Sequence, residues 1–386
     1  MKWLFITSQF PWPIIHGRWL RVYHLARTLV QMDESVTILS CMESDEGISA
    51  YAEVGVGVER GIGRKHIDKG KGRLLFSPFA YDEEFANKIH HNSSGYDVVV
   101  LCGSRVLQYA DEVATSAKIV FDMVDDPFLE FGRRRLLKTE KLIDRLRLQR
   151  NQWGQANLER KMLKRVQFTS FVSKEDCESF NQRHPSLQTM FVPNGVDIAY
   201  FNNPAGELAN VDAENPTVVF TGHMSNPNNE TAAKYLVQDI APLIWKELPQ
   251  VHVQIVGSEP SAAVQALASE RVSVTGRVED MRPYLWNAGV LLLSMRSGTG
   301  IKNKLLEAWA ANAPVVATPL ACQGVPAVDG ENLLLGNTPA ALAAAACLLL
   351  KDREKRKQIA DRGRETVVSE LTWDAAAARL IRAFGG

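Results

Sequence analysis

Short apolar runs that end on a small or polar residue recur along this chain, several of them leading into stretches whose apolar residues return every three or four positions. The runs at 3–7, 36–41, 98–102, 119–124, 167–172 and 190–192 read as strands, because continuous rather than alternating apolar residues mark strands covered on both faces. Helical spacing follows the first run, at Leu20, Tyr23, His24, Ala26, Arg27 and Leu29. Strand, loop, helix and strand in that order open a doubly wound sheet. Between Cys41 and Tyr96 the pattern places no element. Residues 201–216 lack periodicity and carry Asn, Pro, Gly and Ala, which predicts a linker. The order then restarts with runs at 217–221, 251–256, 272–275, 290–293 and 315–318. The prediction is an α/β chain of two Rossmann-like domains, 1–200 and 217–370, with a last helix in 371–386.

Composition narrows the class. The 386 residues suffice for two ordinary domains, and 46% apolar with 23% charged residues is the balance of a folded globular protein. A formal net charge of zero argues against a general nucleic-acid binder. Five scattered cysteines, with no CxxC pair, fit neither a disulfide framework nor zinc-ligand spacing. They suit a reducing, cytoplasmic setting. The opening run is too short for a signal peptide, and no stretch has the roughly 18 consecutive apolar residues of a membrane span. One local charge excess stands out: residues 133–150 hold eight basic and two acidic side chains, a balance of +6. With Leu136, Leu137, Ile143 and Leu146 among them, they fit either an amphipathic helix on anionic lipid, which would put the protein on the inner face of the cytoplasmic membrane, or a solvated helix face.

The chemistry concentrates after the run at 290–293. Gly298-Thr299-Gly300-Ile301-Lys302-Asn303-Lys304-Leu305-Leu306-Glu307 joins a strand to a helix through small residues. That order puts backbone N–H groups and a positive helix end at the carboxyl edge of a sheet, where a diphosphate would sit. Lys302 and Lys304 add positive charge, and Glu307 offers a carboxylate to sugar hydroxyls. Taken alone, a two-glycine turn is equally a plain strand-to-helix connection.

Gly300 to Ala308, followed by Ala313-Pro314-Val315-Val316-Ala317-Thr318, resembles the donor-site signature of retaining family-4 glycosyltransferases of the GT-B fold, closest to a bacterial branch of exopolysaccharide and lipopolysaccharide sugar transferases. Pro193-Asn194-Gly195-Val196-Asp197 at mid-chain and the serine-capped helix start at Ser173 resemble the same family. The resemblance implies two Rossmann-like domains facing a cleft, with the last helix crossing back to the first domain. It implies a nucleotide-sugar donor as co-substrate, a glycan or lipid-linked acceptor, and no metal cofactor. Gly17 would close over the donor phosphates, with Arg18 and Arg21 as further candidates or as solvated side chains. Gly222 and His223 would approach the nucleotide, and Gly257 and the Arg277-Val278 turn would flank the base. Glu307 would hold the ribose, and Gly298, Thr299, Gly300, Ile301, Lys302 and Asn303 the phosphates and sugar. Asp122 and Asp125, at the end of the 119–124 run, are candidates for touching the sugar or acceptor hydroxyl; a helix cap and turn before Pro127 is the alternative. A metal reading of Asp122, Asp125 and Asp126 is set aside because the lysines and the helix end already neutralise a diphosphate.

The chain departs from the family pattern twice. Gly222-His223-Met224-Ser225-Asn226 lacks the arginine and lysine that usually follow that glycine, which moves the phosphate role to Lys302 and Lys304. Thr299 stands where the family carries a second glutamate. The expected activity is sugar transfer with retention at the anomeric carbon. The alternatives are a nucleotide-sugar epimerase or hydrolase, and a non-catalytic nucleotide-sugar-binding module.

Overall fold

A computed structural model describes residues 1–14, 17–41, 44–63, 79–136, 142–204, 215–298 and 300–384. The side chains at 130, 133–145 and 147 also fall outside it. Two compact units divide the chain: Met1–Val192 with Ala376–Gly386, and Pro193–Ala375.

In the first unit, seven strands are described: β1 (Lys2–Thr7), β2 (Ser35–Leu39), β3 (Gly57–Glu59), β4 (Val98–Cys102), β5 (Lys118–Val124), β6 (Phe168–Phe171) and β7 (Gln188–Phe191). They form one parallel sheet in the order β3-β2-β1-β4-β5-β6-β7. Of the central strands, β4 is buried at every position and β1 and β5 at all but their ends, which is why they read as unbroken apolar runs. In the second unit, β8 (Thr217–Thr221), β9 (His252–Val256), β10 (Val272–Val274), β11 (Val290–Leu293), β12 (Val315–Ala317) and β13 (Leu334–Leu335) form a parallel sheet in the order β10-β9-β8-β11-β12-β13. In both sheets the strand order reverses beside the first strand, between β1 and β4 and between β8 and β11. Connections leave on opposite faces there, which opens a crevice outside the carboxyl ends.

The stretch from 41 to 96, where the pattern placed nothing, contains helix Asp45–Glu53, β3 and helix Glu83–Ser93. The two helices are set by caps: Ser44 Oγ accepts from the Gly47 amide, and an Asp82 carboxylate oxygen accepts from the Phe85 amide. The Ser173 cap has the expected form, its Oγ accepting from the Asp176 amide at 3.1 Å.

The unit boundary falls at Val192/Pro193 rather than at 200. The Pro-Asn-Gly-Val-Asp string belongs to the second unit because Val196 pairs with Thr372 and its amide donates to Leu371 O at 3.0 Å. Gly195 is required there: a Cβ would lie 2.2 Å from the Trp373 amide nitrogen. Of the linker expected at 201–216, residues 205–214 lie outside the described residues. The last helix, Trp373–Phe384, ends in the first unit, where Phe384 makes edge contacts with Trp3 and Phe168 at 5.9 and 5.1 Å between ring centres.

The Ala/Leu-rich helix Pro339–Lys351 buries Leu342, Ala346, Cys347 and Leu349 in the core of the second unit. No described helix is long and apolar enough to cross a membrane. Four cysteines are buried and Cys177 is partly so, all with free thiols.

Candidate functional site

The helix Asn303–Ala310 is held from behind. Its buried face is Leu305, Leu306, Ala308, Trp309 and Ala310. Trp309 donates its indole N–H to Asn332 O at 3.0 Å, and the helix Arg353–Glu370 approaches so closely that a Cβ on Gly363 would lie 2.3 Å from Trp309 Cδ1. The amino end of the helix is thereby fixed beyond β11, beside the switch point. The turn into it uses left-handed backbone at Gly298 (φ +111°) and Gly300 (φ +67°), which glycine adopts without strain. Thr299, between them, lies outside the described residues. Ile301 packs on the core, and Asn303 Oδ1 accepts from Asn194 Nδ2 at 2.9 Å, tying the mid-chain string to the start of the helix.

Gly222 follows β8 across the switch point, and the two lysines converge on this corner. An added Cβ on Gly222 would sit 2.8 Å from Lys304 Nζ, and one on Gly298 would sit 3.7 Å from Lys302 Cε. Lys304 Nζ donates to Asn229 Oδ1 at 2.8 Å and lies 4.4 Å from the centre of the Phe220 ring. Lys302 Nζ donates to Gly300 O at 2.5 Å. Burial pulls the Lys304 ammonium down to about 7; Lys302 pulls it the same way, and Glu307 opposes both. Glu307, one turn on, is raised by burial and held back by Lys304. Excess positive charge beside a cationic group that burial already disfavours is a site ready for an anion.

Gly257, after β9, has φ +148°, and a Cβ there would fall 1.7 Å from Gly222 O, so the ends of β8 and β9 are pressed together at the main chain. His223 Nδ1 is 2.9 Å from Ser225 Oγ, and its Nε2 is 3.8 Å from Glu259. Arg277 is exposed beyond β10, and Val278 packs against the core. Two residues that the sequence did not flag belong to the corner. Asn229 also donates from Nδ2 to His223 O at 2.9 Å, and Asn228 Oδ1 accepts from Ser297 Oγ at 2.6 Å beside Gly298. Their only signal is a run of asparagines, which reads as the capped start of the helix Pro227–Tyr235; Asn226 does cap it.

In the first unit the expectation for Asp122 is corrected. Arg21, fully buried, grips both carboxylate oxygens, with Nε at 2.9 Å from Oδ2 and Nη2 at 2.9 Å from Oδ1. Ser170 Oγ donates to Oδ1 at 2.7 Å, and Arg21 Nη1 donates to Val192 O at 2.9 Å. Asp122 and Arg21 therefore hold helix Gly17–Gln31, β5, β6 and the exit from β7 together, and neither is a solvated or sugar-facing group. Asp126 is likewise engaged by Arg183 through both oxygens, at 2.7 and 2.8 Å. Neither ion pair includes Asp125. It follows a bulge in β5 at which Val124 takes φ +72°, a strained conformation for a β-branched residue. Gly17 and Arg18 are exposed at the start of their helix. Among the described residues no three His, Cys, Asp or Glu side chains are grouped to hold a metal. The basic run at 133–150 lies largely outside the described side chains.

Two parallel doubly wound sheets, in this order, are the GT-B fold of glycosyltransferases. Residues 215–352, within the second unit, match the family model described as glycosyl transferases group 1. The chain is 31% identical over 137 residues to the lipopolysaccharide core biosynthesis glycosyltransferase LpsE of Rhizobium meliloti, the match covering 33% of this chain and 40% of that one. It is 21% identical over 199 residues, 49% of each chain, to an uncharacterized 44.6 kDa protein in the cps region of Klebsiella pneumoniae. These matches thus span less than half the length of either relative. Among solved structures, Anabaena HepE in complex with UDP and glucose superposes with a TM-score of 0.70 over 100% of both chains at 14% identity, a likeness of fold.

Proposed function

We propose that the chain is a glycosyltransferase that moves a sugar from a nucleoside-diphosphate sugar to an acceptor hydroxyl, with retention at the anomeric carbon, in the synthesis of a cell-surface glycan. The observation that carries this reading is the corner between β8 and β11, where Gly222, Gly298, Gly300, Lys302 and Lys304 surround the start of one fixed helix. The likeness to LpsE supports a glycosyltransferase, and the UDP complex of HepE supports the donor class.

In this reading the diphosphate lies over the glycine turn. Lys304 gives up its bond to Asn229 and pairs with a phosphate oxygen, and Lys302 adds charge from the other side. Both stabilise negative charge as the sugar–phosphate bond breaks. Glu307 holds the ribose hydroxyls, and Gly222 and Gly257 leave room for the nucleotide. The departing phosphate takes the acceptor proton, so neither a side-chain nucleophile nor a divalent cation is needed. Asp125 remains the acidic candidate on the acceptor side. Contact with an anionic membrane surface is supported by helix Leu142–Met162, on which Leu146 and Trp153 are 57% and 59% exposed and Arg150 is exposed between them.

The test is a thermal-unfolding screen against nucleotide sugars. Ligand at one hundred times its dissociation constant adds about 2.7 kcal/mol of stability. A shift is expected with the cognate donor and with its free nucleotide, and Glu307→Ala abolishes it while leaving the unliganded protein folded. A Glu307→Ala variant that responds as well as the parent contradicts the ribose assignment. Transfer to an acceptor, read by product analysis, separates a transferase from an epimerase or hydrolase.

A further inference from the structure

The first unit has a switch point of its own, and a polar cavity of about 180 Å³ sits there, at the carboxyl ends of β1 and β4. Thr7, Ser8 and Gln9 come from the end of β1, Arg18, Trp19 and Val22 from the helix that follows it, and Cys102 and Arg105 from the end of β4. Among the described residues its lining holds two guanidinium groups and no carboxylate. Asp122, paired in the sheet with the lining residue Cys102, is already bound through both oxygens to Arg21.

Two details indicate that the cavity is built for a polar guest. Thr7, which lines the cavity, is 5% exposed, and its buried hydroxyl has no hydrogen-bond partner. A buried hydroxyl without a partner costs stability, and a ligand oxygen in the cavity would satisfy it. The Arg18 guanidinium lies across Gly103, where an added Cβ would be 3.2 Å from Nη1 and 3.3 Å from Cζ. Gly103 has φ +89°, so the chain there both requires glycine and gives the guanidinium a flat bed. Arg105 also lines the cavity, with its guanidinium 5.8 Å from the centre of the Phe79 ring. Planar guanidinium groups around a small cavity with hydroxyl donors match a phosphate monoester better than a neutral sugar.

We infer that this cavity binds a phosphate group carried by the acceptor, held between Arg18 and Arg105 with Thr7 and Ser8 as hydroxyl partners, so that the acceptor is a phosphorylated sugar or polyol rather than a neutral glycan. The inference rests on the transferase reading for the word acceptor, but the anion site stands on the first unit alone.

The experiment is a calorimetric titration of the full chain with glucose 1-phosphate, inorganic phosphate and glucose, and separately with UDP. The variants are Arg18→Gln, Arg105→Gln and Thr7→Val, each checked for an unchanged unfolding midpoint. Both arginines are exposed, so their replacement leaves the fold intact. The expected result is binding of the ester but not of glucose, weakened about tenfold or more by either arginine variant and less by Thr7→Val, with UDP affinity unchanged. Binding of inorganic phosphate as tight as that of the ester, with the same sensitivity to the variants, reduces the site to a free-anion site and overturns the acceptor assignment. Ester binding that ignores all three substitutions, or no ester binding at all, overturns the site. Arginine variants that weaken UDP as much as the ester assign the two cations to the donor and overturn the inference. Failure of the donor reading shows separately, as no response to any nucleotide while the ester still binds.

Discussion

Lys304→Met lowers the affinity for UDP by about 10- to 100-fold, the loss expected for a hydrogen bond from a charged donor to a phosphate. It also removes most of the pH dependence of binding. In the unliganded protein the Lys304 ammonium is held near 7 by burial, so it is largely neutral above that pH. A diphosphate beside it favours the charged form and raises its pKa, so binding takes up a proton. The sign follows from linkage: affinity is full below about pH 7 and falls as pH rises from there toward the higher pKa of the complex. The wild-type protein therefore loses UDP affinity between about pH 7 and pH 9, and its binding enthalpy in that window varies with the ionisation enthalpy of the buffer. The Lys304→Met variant shows neither effect. The other charges on this lysine do not change the direction, because Lys302 already pushes the pKa down and Glu307 only partly offsets burial. A wild-type affinity that stays level across the window excludes Lys304 as the phosphate partner.

The second large effect is on stability. Arg21→Met leaves the Asp122 carboxylate buried without its guanidinium partner, which costs about 3–5 kcal/mol. For a unit of this size that lowers the unfolding midpoint by roughly 10 °C. The double variant Arg21→Met/Asp122→Leu recovers much of the loss, since a buried ion pair replaced as a whole by apolar groups is often neutral. UDP binding by the folded fraction is unchanged in both. Thermal unfolding of the two single variants and the double variant, with UDP titration alongside, completes the cycle. The competing assignment of Asp122 as a sugar or acceptor contact predicts the reverse for Asp122→Asn, a midpoint left in place and transfer lost.

That pair also shows where sequence reasoning stops. Asp122 stands at the end of an apolar strand, where ligand-facing carboxylates are found, and nothing local distinguishes it from one. Its partner is 101 residues away on a helix whose pattern marks Arg21 only as a polar position. Asn229 is hidden for a similar reason: an uncharged residue in a helix's first turn has no pattern of its own, yet here it accepts from Lys304. By contrast, the stretch from Gly298 to Glu307 was legible because strand, glycines, lysines and helix are consecutive, and local order alone brings them to the switch point.

The same contrast runs through the fold. Strands such as Val290–Leu293, buried at every position, cannot be mistaken for helix or loop when glycine or serine bounds them. Between 41 and 96 the elements are short and mostly polar. Helix Asp45–Glu53 buries only Gly47 and Tyr51, and β3 is a three-residue edge strand with no buried position. Their order comes from caps and from packing against distant strands, and only Phe85, Ala86 and Ile89 of helix Glu83–Ser93 leave a short trace at helical spacing. The two-residue β13 is set by pairing with β12 rather than by its own composition.

The central claim is that the glycine turn and paired lysines beyond β11 hold a nucleoside diphosphate, and a crystal structure with UDP tests it most directly. The account predicts diphosphate oxygens about 2.7–3.2 Å from Lys304 Nζ and from main-chain amides of the turn that ends at Lys302, with the ribose against Glu307. UDP seated elsewhere, with Lys304 still donating to Asn229, would contradict it.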